Sequence, residues 1–230
     1  MPFTKGEVNR AGELMLELRE RLVHDGDRAV GEFDEAKLDR AWEALRWWRS
    51  LHARPLSTVA ANLRYHVGQE GGHVNGRIDV TQRLKRLNTM IDKLAREEGR
   101  VTQMHDIGGV RSVLPSLRQV QAVSRRLRKS WTIIRVRDYI AEPKDTGYRA
   151  LHLIVKRSGY PIEVQLRTIA QDVWANQVEE RGREHGIGLK FGAGGTDLRA
   201  YFVGMAEVLA RFDRGELSGG DLGVALKTLR

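Results

Sequence analysis

A six-residue segment alternates polar and apolar side chains in a way that could support chemistry. Glu163, Gln165 and Arg167 occupy alternate positions. The alternating apolar positions are Ile162, Val164 and Leu166. Successive side chains of a β-strand point to opposite faces, so the spacing predicts a strand with one polar face. A carboxylate, an amide and a guanidinium sharing one strand face indicate a binding or catalytic site rather than a core.

A loop that precedes this strand combines an aromatic ring with positive charge. Residues from Asp138 to Tyr148 predict the end of a strand, a loop interrupted by Pro143 and Gly147, and a return into the fold. Tyr148, with Lys144 close by in sequence, suits a nucleobase stacked on the ring with phosphates nearby. A tyrosine that only packs the loop is the alternative interpretation.

Further cations and one carboxylate lie upstream. Arg83 and Lys85 are two positions apart in a predicted strand and therefore share a face. Lys93 follows Thr89 by about one helical turn, near the start of a predicted helix whose free amides also favour phosphate. Asp106 precedes an apolar strand. By residue type alone, these cations could form a solvent-exposed face, and Asp106 could simply cap a loop.

Four sequence blocks, in order, resemble the synthetase domain of the RelA/SpoT family, over roughly residues 75–185. The first block is Arg83, Lys85, Thr89, Met90 and Lys93; the second runs from Asp106 to Arg111; the third is Tyr139, Ile140, Pro143, Lys144, Gly147, Tyr148 and His152; the fourth is Glu163, Gln165, Arg167 and Thr168. The resemblance implies a pyrophosphokinase that moves the β,γ-pyrophosphate of ATP to a ribose 3′-hydroxyl.

The same resemblance implies roles for individual residues. The implied ATP-binding residues are Arg83 and Arg111, which would sandwich adenine, and Lys85, Thr89 and Lys93, which would hold phosphates. The implied acceptor-binding residues are Tyr148, Lys144, His152, Arg137, Gln165 and Arg167. Asp106 and Glu163 are the implied catalytic residues and Mg²⁺ ligands, with Glu163 acting as the base or assisting it. Two carboxylates suit Mg²⁺, which prefers oxygen ligands and bridges phosphates.

The sequence departs from the family pattern at four positions. Arg137 replaces Lys, Thr89 replaces Ser, Gly109 replaces Ala and Ala150 replaces Ser. None of these changes removes a type of ligand. Arg137 leaves the choice of guanine nucleotide open, since Arg and Lys recognise phosphates differently.

The resemblance leaves two kinds of acceptor. Housekeeping members make the alarmones (p)ppGpp, whereas toxic members, from toxin–antitoxin operons and phage immunity, make ppApp or modify the 3′-CCA end of tRNA. The Gln82–Lys93 stretch, the segment Gln171–Glu179, the tail Leu189–Gly192 leading to Tyr201, and Glu180 in place of a family His resemble the toxic kind. We therefore expect tRNA as the acceptor and an antitoxin protein as a partner, with a guanine or adenine nucleotide as the alternative acceptor.

Two other function classes remain as alternatives. A catalytically inactive nucleotide- or RNA-binding module would gain nothing from Asp106 and Glu163 among so many cations. A nucleotidyltransferase of another family would usually carry paired aspartates on a strand, and none is present. His105-Asp106 could suggest the metal-hydrolase domain that longer members of the family carry. No matching set of ligands appears among the seven histidines, and the chain looks too short to hold that domain as well. We expect no hydrolase activity.

Composition limits the classes further. The chain has no cysteine, which excludes disulfides and thiol catalysis, and no apolar run near the ~20 residues of a membrane span. No signal peptide is evident, so we expect a cytoplasmic protein without membrane partners. Residues 76–170 contain 20 Lys or Arg and 9 Asp or Glu, a net charge of +11, whereas residues 1–75 and 171–230 each carry −1. This concentration favours a basic cleft for a polyphosphate or a longer anion.

Alternating periodicities predict an α/β (α+β) fold with a mixed sheet of about five strands flanked by helices. We divide the chain into an N-terminal helical element (1–75), a synthetase core (76–185) and C-terminal helices (186–230). Predicted helices cover 7–23, 34–52 closed before Pro55, 56–65, 89–96 capped by Asn88, 116–130, 168–184 and 197–212, with a short terminal helix. Predicted strands cover 77–83, 110–114, 131–136, 151–155 and 162–166.

Overall fold

The computed structural model describes residues 1–25, 31, 33–97, 99–184 and 195–228. Within this part the chain forms eight α-helices and five β-strands. The helices are α1 (Lys5–Asp25), α2 (Glu35–Ser50), α3 (Ala53–Gln69), α4 (Leu87–Arg96), α5 (Leu117–Ser130), α6 (Ile169–Glu184), α7 (Thr196–Asp213) and α8 (Gly219–Lys227). The strands are β1 (Asp79–Leu84), β2 (Gly108–Leu114), β3 (Ile133–Asp138), β4 (Leu151–Arg157) and β5 (Tyr160–Thr168).

The five strands form one sheet in the order β1-β2-β5-β4-β3. β3 is antiparallel to β4, with Val136 opposite Leu153 and Asp138 opposite Leu151. The connection from β4 to β5 is the pair Ser158-Gly159, both with positive φ, which matches the twist of antiparallel strands in a tight hairpin. The predicted mixed sheet of five strands with flanking helices is confirmed.

The chain divides into two compact units, and the first comprises residues 1–59, 82–109 and 156–163. Its core packs α1, α2 and α4 around one turn of 3₁₀ helix, Val101–Gln103. The apolar positions of α2 recur at helical spacing, so that Ala41, Leu45 and Trp48 are all buried. Trp48 belongs to this core and Trp47 packs against it.

The second unit comprises residues 60–81, 110–155 and 164–230. One of its apolar clusters lies between α6 and α7, where Trp174 packs on Phe202 and its indole N–H donates to the carbonyl of Phe202 at 2.8 Å. Gly147 has a φ of +86°, and a Cβ on it would lie 2.6 Å from the Cβ of Ala206 on α7. Only glycine lets the loop approach α7 so closely, and this fixes the position of the next residue, Tyr148.

Two predicted boundaries are wrong for local reasons. Asn88 lies inside α4, whose N-cap is Arg86 without a side-chain capping bond. Pro55 does not close α2, because it lies in the first turn of α3, where a missing backbone N–H costs no helical hydrogen bond. The predicted helix over 56–65 accordingly extends to Ala53–Gln69.

The predicted division at residues 75 and 185 stays a prediction about domain organisation. The tail Leu189–Gly192, which contributed to the prediction of a toxic subtype, lies outside the described residues. In the part of the chain that the structure describes, no helix combines the length and apolar character required to cross a membrane.

Candidate active site

Backbone hydrogen bonds bring Lys85 and Asp106 together in the first unit. The amide of Lys85, just beyond the end of β1, donates to the carbonyl of Ile107 at 2.8 Å. From α2, the guanidinium Nε of Arg49 donates to the carbonyl of Lys85 at 2.7 Å. Two chain segments 21 residues apart are thus held side by side where the side chains of Lys85 and Asp106 begin.

One oxygen of Asp106 accepts from two ammonium groups. Lys85 Nζ lies 2.9 Å and Lys93 Nζ 3.0 Å from Asp106 Oδ2. All three side chains are largely shielded from solvent, with exposures of 18% for Lys85, 22% for Lys93 and 19% for Asp106. Bonds between ionised partners are stronger than neutral ones, so this cluster is a fixed electrostatic feature rather than a solvated surface pair.

The cluster places two ammonium groups around an ionised carboxylate. Burial alone would raise the pKa of Asp106, but the charges and hydrogen bonds of Lys85 and Lys93 outweigh it and lower the pKa below its ordinary value. Asp106 is therefore an anion at neutral pH. Lys93 Nζ also lies 3.6 Å from the largely exposed Glu97, a weak surface contact that an incoming phosphate could replace.

The second oxygen of Asp106 fits a magnesium ligand. Asp106 Oδ1 is buried and has no hydrogen-bond partner among the described residues. A buried acceptor of this kind normally requires a partner, and a hard cation is one that would satisfy it. Glu163 belongs to the same unit and lies half-buried on β5 between the buried Ile162 and Val164. No group of three or more ligating side chains occurs in the described ranges, so the substrate phosphates would have to complete the coordination.

The other predicted donor-site residues of this unit lie around the same segments. Arg83 is exposed on β1, and Thr89 is exposed in the first turn of α4, one turn before Lys93. Because no side chain caps the start of α4, its first amides remain available to an anion. The side chains of Thr89 and Lys93 and these amides are the groups that α4 can offer to phosphate.

In the second unit, Tyr148 is the centre of the predicted acceptor group. Its hydroxyl is hydrogen-bonded to His152 Nε2 at 2.7 Å and accepts from Arg167 Nη2 at 3.1 Å. The same Nη2 donates to Gln165 Oε1 at 3.0 Å. The ring of Tyr148 meets that of His152 edge to face, with an interplanar angle of 88°. Tyr148 is thus held at its hydroxyl end by two of the predicted acceptor residues, and a third, Gln165, bonds Arg167.

A cation and a second tyrosine complete this group. Lys144 Nζ lies 5.4 Å from the ring centroid of Tyr148 and 4.8 Å from that of Tyr139. Arg137 Nη1 donates to the hydroxyl of Tyr139 at 3.2 Å, and the ring of Tyr139 also meets that of His152. The structure therefore brings all six predicted acceptor residues into one connected set, although their roles stay predictions.

Arg111 was predicted to bind adenine, and it lies on β2 in this second unit. Its Nη1 is 3.3 Å from Asp172 Oδ1, an oxygen that also accepts from Arg167 Nη1 at 3.2 Å. Asp172 was not predicted as a site residue. Its signal in the sequence is an acidic side chain in the first turn of α6, directly after the polar strand, where helix-dipole stabilisation is the ordinary interpretation.

The comparisons with known proteins agree with this arrangement. Residues 82–187 match a family model described as a region found in RelA / SpoT proteins. Two relatives from Bacillus subtilis (strain 168) are the GTP pyrophosphokinase YjbM, 33% identical over 49% of this chain and 56% of the relative, and the GTP pyrophosphokinase YwaC, 36% identical over 41% and 52%. The chain thus spans little more than half the length of either relative.

The fold has a solved counterpart. The crystal structure of small alarmone synthetase 2 from Bacillus subtilis superimposes with a TM-score of 0.61 at 24% identity, covering 78% of this chain and 97% of that one. Residues 82–187, which the family model matches, contain every residue predicted to bind ATP, the acceptor or Mg²⁺. Residues 82–187 of this chain are therefore similar to the region found in RelA / SpoT proteins.

Proposed function

We propose that this protein is a pyrophosphokinase that transfers the β,γ-pyrophosphoryl group of ATP to the 3′-hydroxyl of a guanine nucleotide. The observation that carries the proposal is the Lys85–Asp106–Lys93 cluster, which places two shielded ammonium groups beside a carboxylate oxygen that has no hydrogen-bond partner among the described residues. A triphosphate and its metal ion would satisfy both. The relatives YjbM and YwaC, named as GTP pyrophosphokinases, support the guanine nucleotide as acceptor.

The donor side of the proposed reaction uses the cations around α4. Lys85 and Lys93 bind the phosphates of ATP, helped by Thr89 and the free amides that begin α4. Arg83 and Arg111 stack on adenine, since planar guanidinium groups pack well on aromatic rings. These contacts hold the triphosphate in place, which is the main contribution a protein makes to phosphoryl-type transfer.

The acceptor side uses Tyr148. The guanine base stacks on its ring, while Lys144 contacts the acceptor phosphates and His152 and Arg167 fix the hydroxyl end of the tyrosine. Gln165, which was predicted to bind the acceptor, keeps Arg167 oriented by accepting from the same nitrogen. Arg137 acts through Tyr139, whose hydroxyl it contacts.

The chemical step conserves atoms and charge as follows. The 3′-oxygen of the acceptor attacks the β-phosphorus of ATP, and its proton passes to the carboxylate of Glu163. The bond between that phosphorus and the oxygen bridging to the α-phosphate breaks, and AMP leaves with the bonding electrons. Asp106 and Glu163 would hold Mg²⁺, which when bound would polarise the phosphate oxygens and neutralise developing charge.

Transfer to the 3′ end of tRNA is the second candidate. The observation that favours it is the exposed basic face of α5, formed by Arg125, Arg128 and Lys129. Arg126, which lies in the same basic run, is half-buried and donates through Nε to Glu70 at 2.7 Å, so it offers less to a partner. Exposed cations of this kind add salt-dependent affinity for a polynucleotide and nothing for a mononucleotide.

One labelling experiment separates the candidates. The protein is incubated with Mg²⁺ and γ-³²P-ATP together with GDP, GTP or bulk tRNA, and Glu163→Gln serves as the matched inactive control. Label appearing in a guanosine product supports the proposed function. Label appearing only in tRNA, with loss of aminoacylation, would replace it by the second candidate, and charge reversal at Arg125, Arg128 and Lys129 should then weaken the modification. Absence of transfer to every acceptor would contradict both.

A further inference from the structure

We propose that Asp172 is a positioning residue that couples ATP binding at Arg111 to acceptor binding at Tyr148. The inference rests on the proposed function, because it takes Arg111 to contact ATP and Tyr148 to contact the acceptor. It goes beyond that function by assigning a role to a carboxylate that would touch neither substrate. All the residues involved belong to the second compact unit.

Asp172 is fixed at both of its carboxylate oxygens. Its Oδ1 lies 3.3 Å from Arg111 Nη1 and accepts from Arg167 Nη1 at 3.2 Å. Its Oδ2 accepts from the side-chain amide of Asn176, one turn along α6, at 2.9 Å. The side chain of Asp172 is 16% exposed and that of Arg167 is 8% exposed, so neither pair is a screened surface contact.

The connection continues from Arg167 to Tyr148 through a single rigid group. Arg167 donates to Asp172 through Nη1 and to the hydroxyl of Tyr148 through Nη2. A guanidinium is planar, so its two ends cannot reorient independently. Displacing the carboxylate of Asp172 must therefore alter the hydrogen bond that holds Tyr148, which also bonds His152.

The connection has a direct thermodynamic consequence. The side chain of Arg111 is 35% exposed, and its guanidinium contacts Asp172 through Nη1. An adenine stacked on Arg111 would restrict that guanidinium, and with it Asp172 and Arg167, before the acceptor arrives. The acceptor would then find Tyr148 already fixed and would lose less conformational entropy on binding, which is positive coupling between two sites. Coupling of binding free energies is reciprocal, so the acceptor should strengthen ATP binding by the same factor.

The substitution that tests the proposal is Asp172→Asn, which keeps the size of the side chain and removes its charge. Calorimetry gives the affinity for an ATP analogue with a methylene α,β-bridge, with and without saturating GDP. In the unsubstituted protein we expect GDP to raise that affinity about 5-fold or more, as is typical of coupled sites. In Asp172→Asn we expect each ligand alone to bind within about 3-fold of normal while the coupling factor falls towards one.

Two further variants make the outcome decisive. Glu70→Gln removes the charge from another ion pair of the same unit, with Arg126, and should leave the coupling unchanged. Asp172→Glu keeps the charge but displaces it by one methylene. It should fold even if the Asn variant does not, and it should also lower the coupling.

Normal coupling in both Asp172 variants would overturn the inference. Absence of coupling in the unsubstituted protein, when both ligands bind, would overturn it as well. Neither result would affect the proposed function. Failure of that protein to bind either nucleotide would overturn the proposed function as well.

Discussion

The ammonium group of Lys85 lies 2.9 Å from the Oδ2 atom of Asp106, and Lys93 reaches the same oxygen from α4 at 3.0 Å. The predicted phosphate ligands therefore bond to the predicted metal ligand. A buried carboxylate needs this compensation, since an unpaired buried charge is strongly destabilising. Binding of a metal–triphosphate complex would exchange one set of charge pairs for another without leaving any of these charges unpaired.

Replacing Lys85 by alanine should weaken ATP binding by about 10- to 100-fold, the effect of losing one charge-assisted hydrogen bond worth about 1.5–3 kcal/mol. Titration with the methylene-bridged ATP analogue measures this directly. Lys129→Ala, which removes an exposed cation of α5, is the matched control and should bind normally. Equal affinities for the two variants would remove Lys85 from the donor site.

Glu163→Gln should abolish pyrophosphate transfer and leave binding of the ATP analogue nearly intact. The amide preserves the shape of the half-buried side chain, but it cannot accept the proton of the 3′-hydroxyl. Loss of a general base alone typically slows catalysis by ~10²–10⁴-fold. Single-turnover rates at saturating Mg²⁺ provide the measurement. A rate equal to that of the unsubstituted protein would show that Glu163 takes no part in the reaction.

Two substitutions at Tyr148 should separate stacking from positioning. Tyr148→Phe keeps the ring and removes the hydroxyl that bonds His152 and Arg167, so the acceptor KM should rise by roughly 10-fold while turnover continues. Tyr148→Ala removes the stacking surface and should reduce transfer to background, whether the acceptor is a nucleotide or tRNA. If the alanine variant turns over as fast as the phenylalanine variant, the base does not stack on this ring.

The stability of the second unit should depend on pH through Asp213. Burial raises the pKa of Asp213 above its ordinary value of 3.8, although hydrogen bonds from Thr168 and Gln171 oppose the shift. The folded protein then binds this proton more tightly than the unfolded chain, so the contribution of Asp213 to stability falls as the pH rises from 3.8 through the folded pKa.

Asp213→Asn removes that titration while it keeps an oxygen for both donors. The melting temperature of the variant minus that of the unsubstituted protein should therefore become more positive between pH 4 and pH 7. Asp221→Asn is a contrasting control, because hydrogen bonds from Ser218 lower the pKa of Asp221. Its melting-temperature difference should stay nearly constant between pH 4 and pH 7 and should change, with the opposite sign, only below pH 4. A difference for Asp213→Asn that does not vary with pH would contradict the assignment.

The sequence was sufficient to predict features that depend on local periodicity. Helical spacing correctly predicted α2, and alternation in β5 correctly predicted that Ile162, Val164 and Leu166 are buried, because each pattern reflects one face of a regular element. Alternation failed at Arg167, which was predicted on the polar face but is buried. The sequence was less reliable for predicting the residues at which helices begin and end. Asn88 has the chemistry of a cap, but α4 begins at Leu87, and Pro55 is equally compatible with ending one helix and starting the next.

Contacts between distant segments could not be predicted. The pairing of Arg126 with Glu70 joins residues 56 positions apart, and nothing in the basic run of α5 distinguishes Arg126 from its neighbours. Asp172 was missed for a similar reason, since its importance lies in Arg111 and Arg167 meeting at one oxygen. Motif resemblance identified the residues on each side of this contact but carried no information about the carboxylate between them.

The proposed attack of a ribose 3′-hydroxyl on the β-phosphorus of ATP can be tested most directly by comparing GTP with 3′-deoxy-GTP as acceptor. With GTP, ATP and Mg²⁺, chromatography with mass detection should show one AMP for each guanosine nucleotide that gains a pyrophosphoryl group. With 3′-deoxy-GTP, neither product should appear, whereas 2′-deoxy-GTP should still react if the 2′-hydroxyl makes no essential contact. Release of ADP and phosphate instead of AMP, or equal consumption of the 3′-deoxy acceptor, would contradict the account.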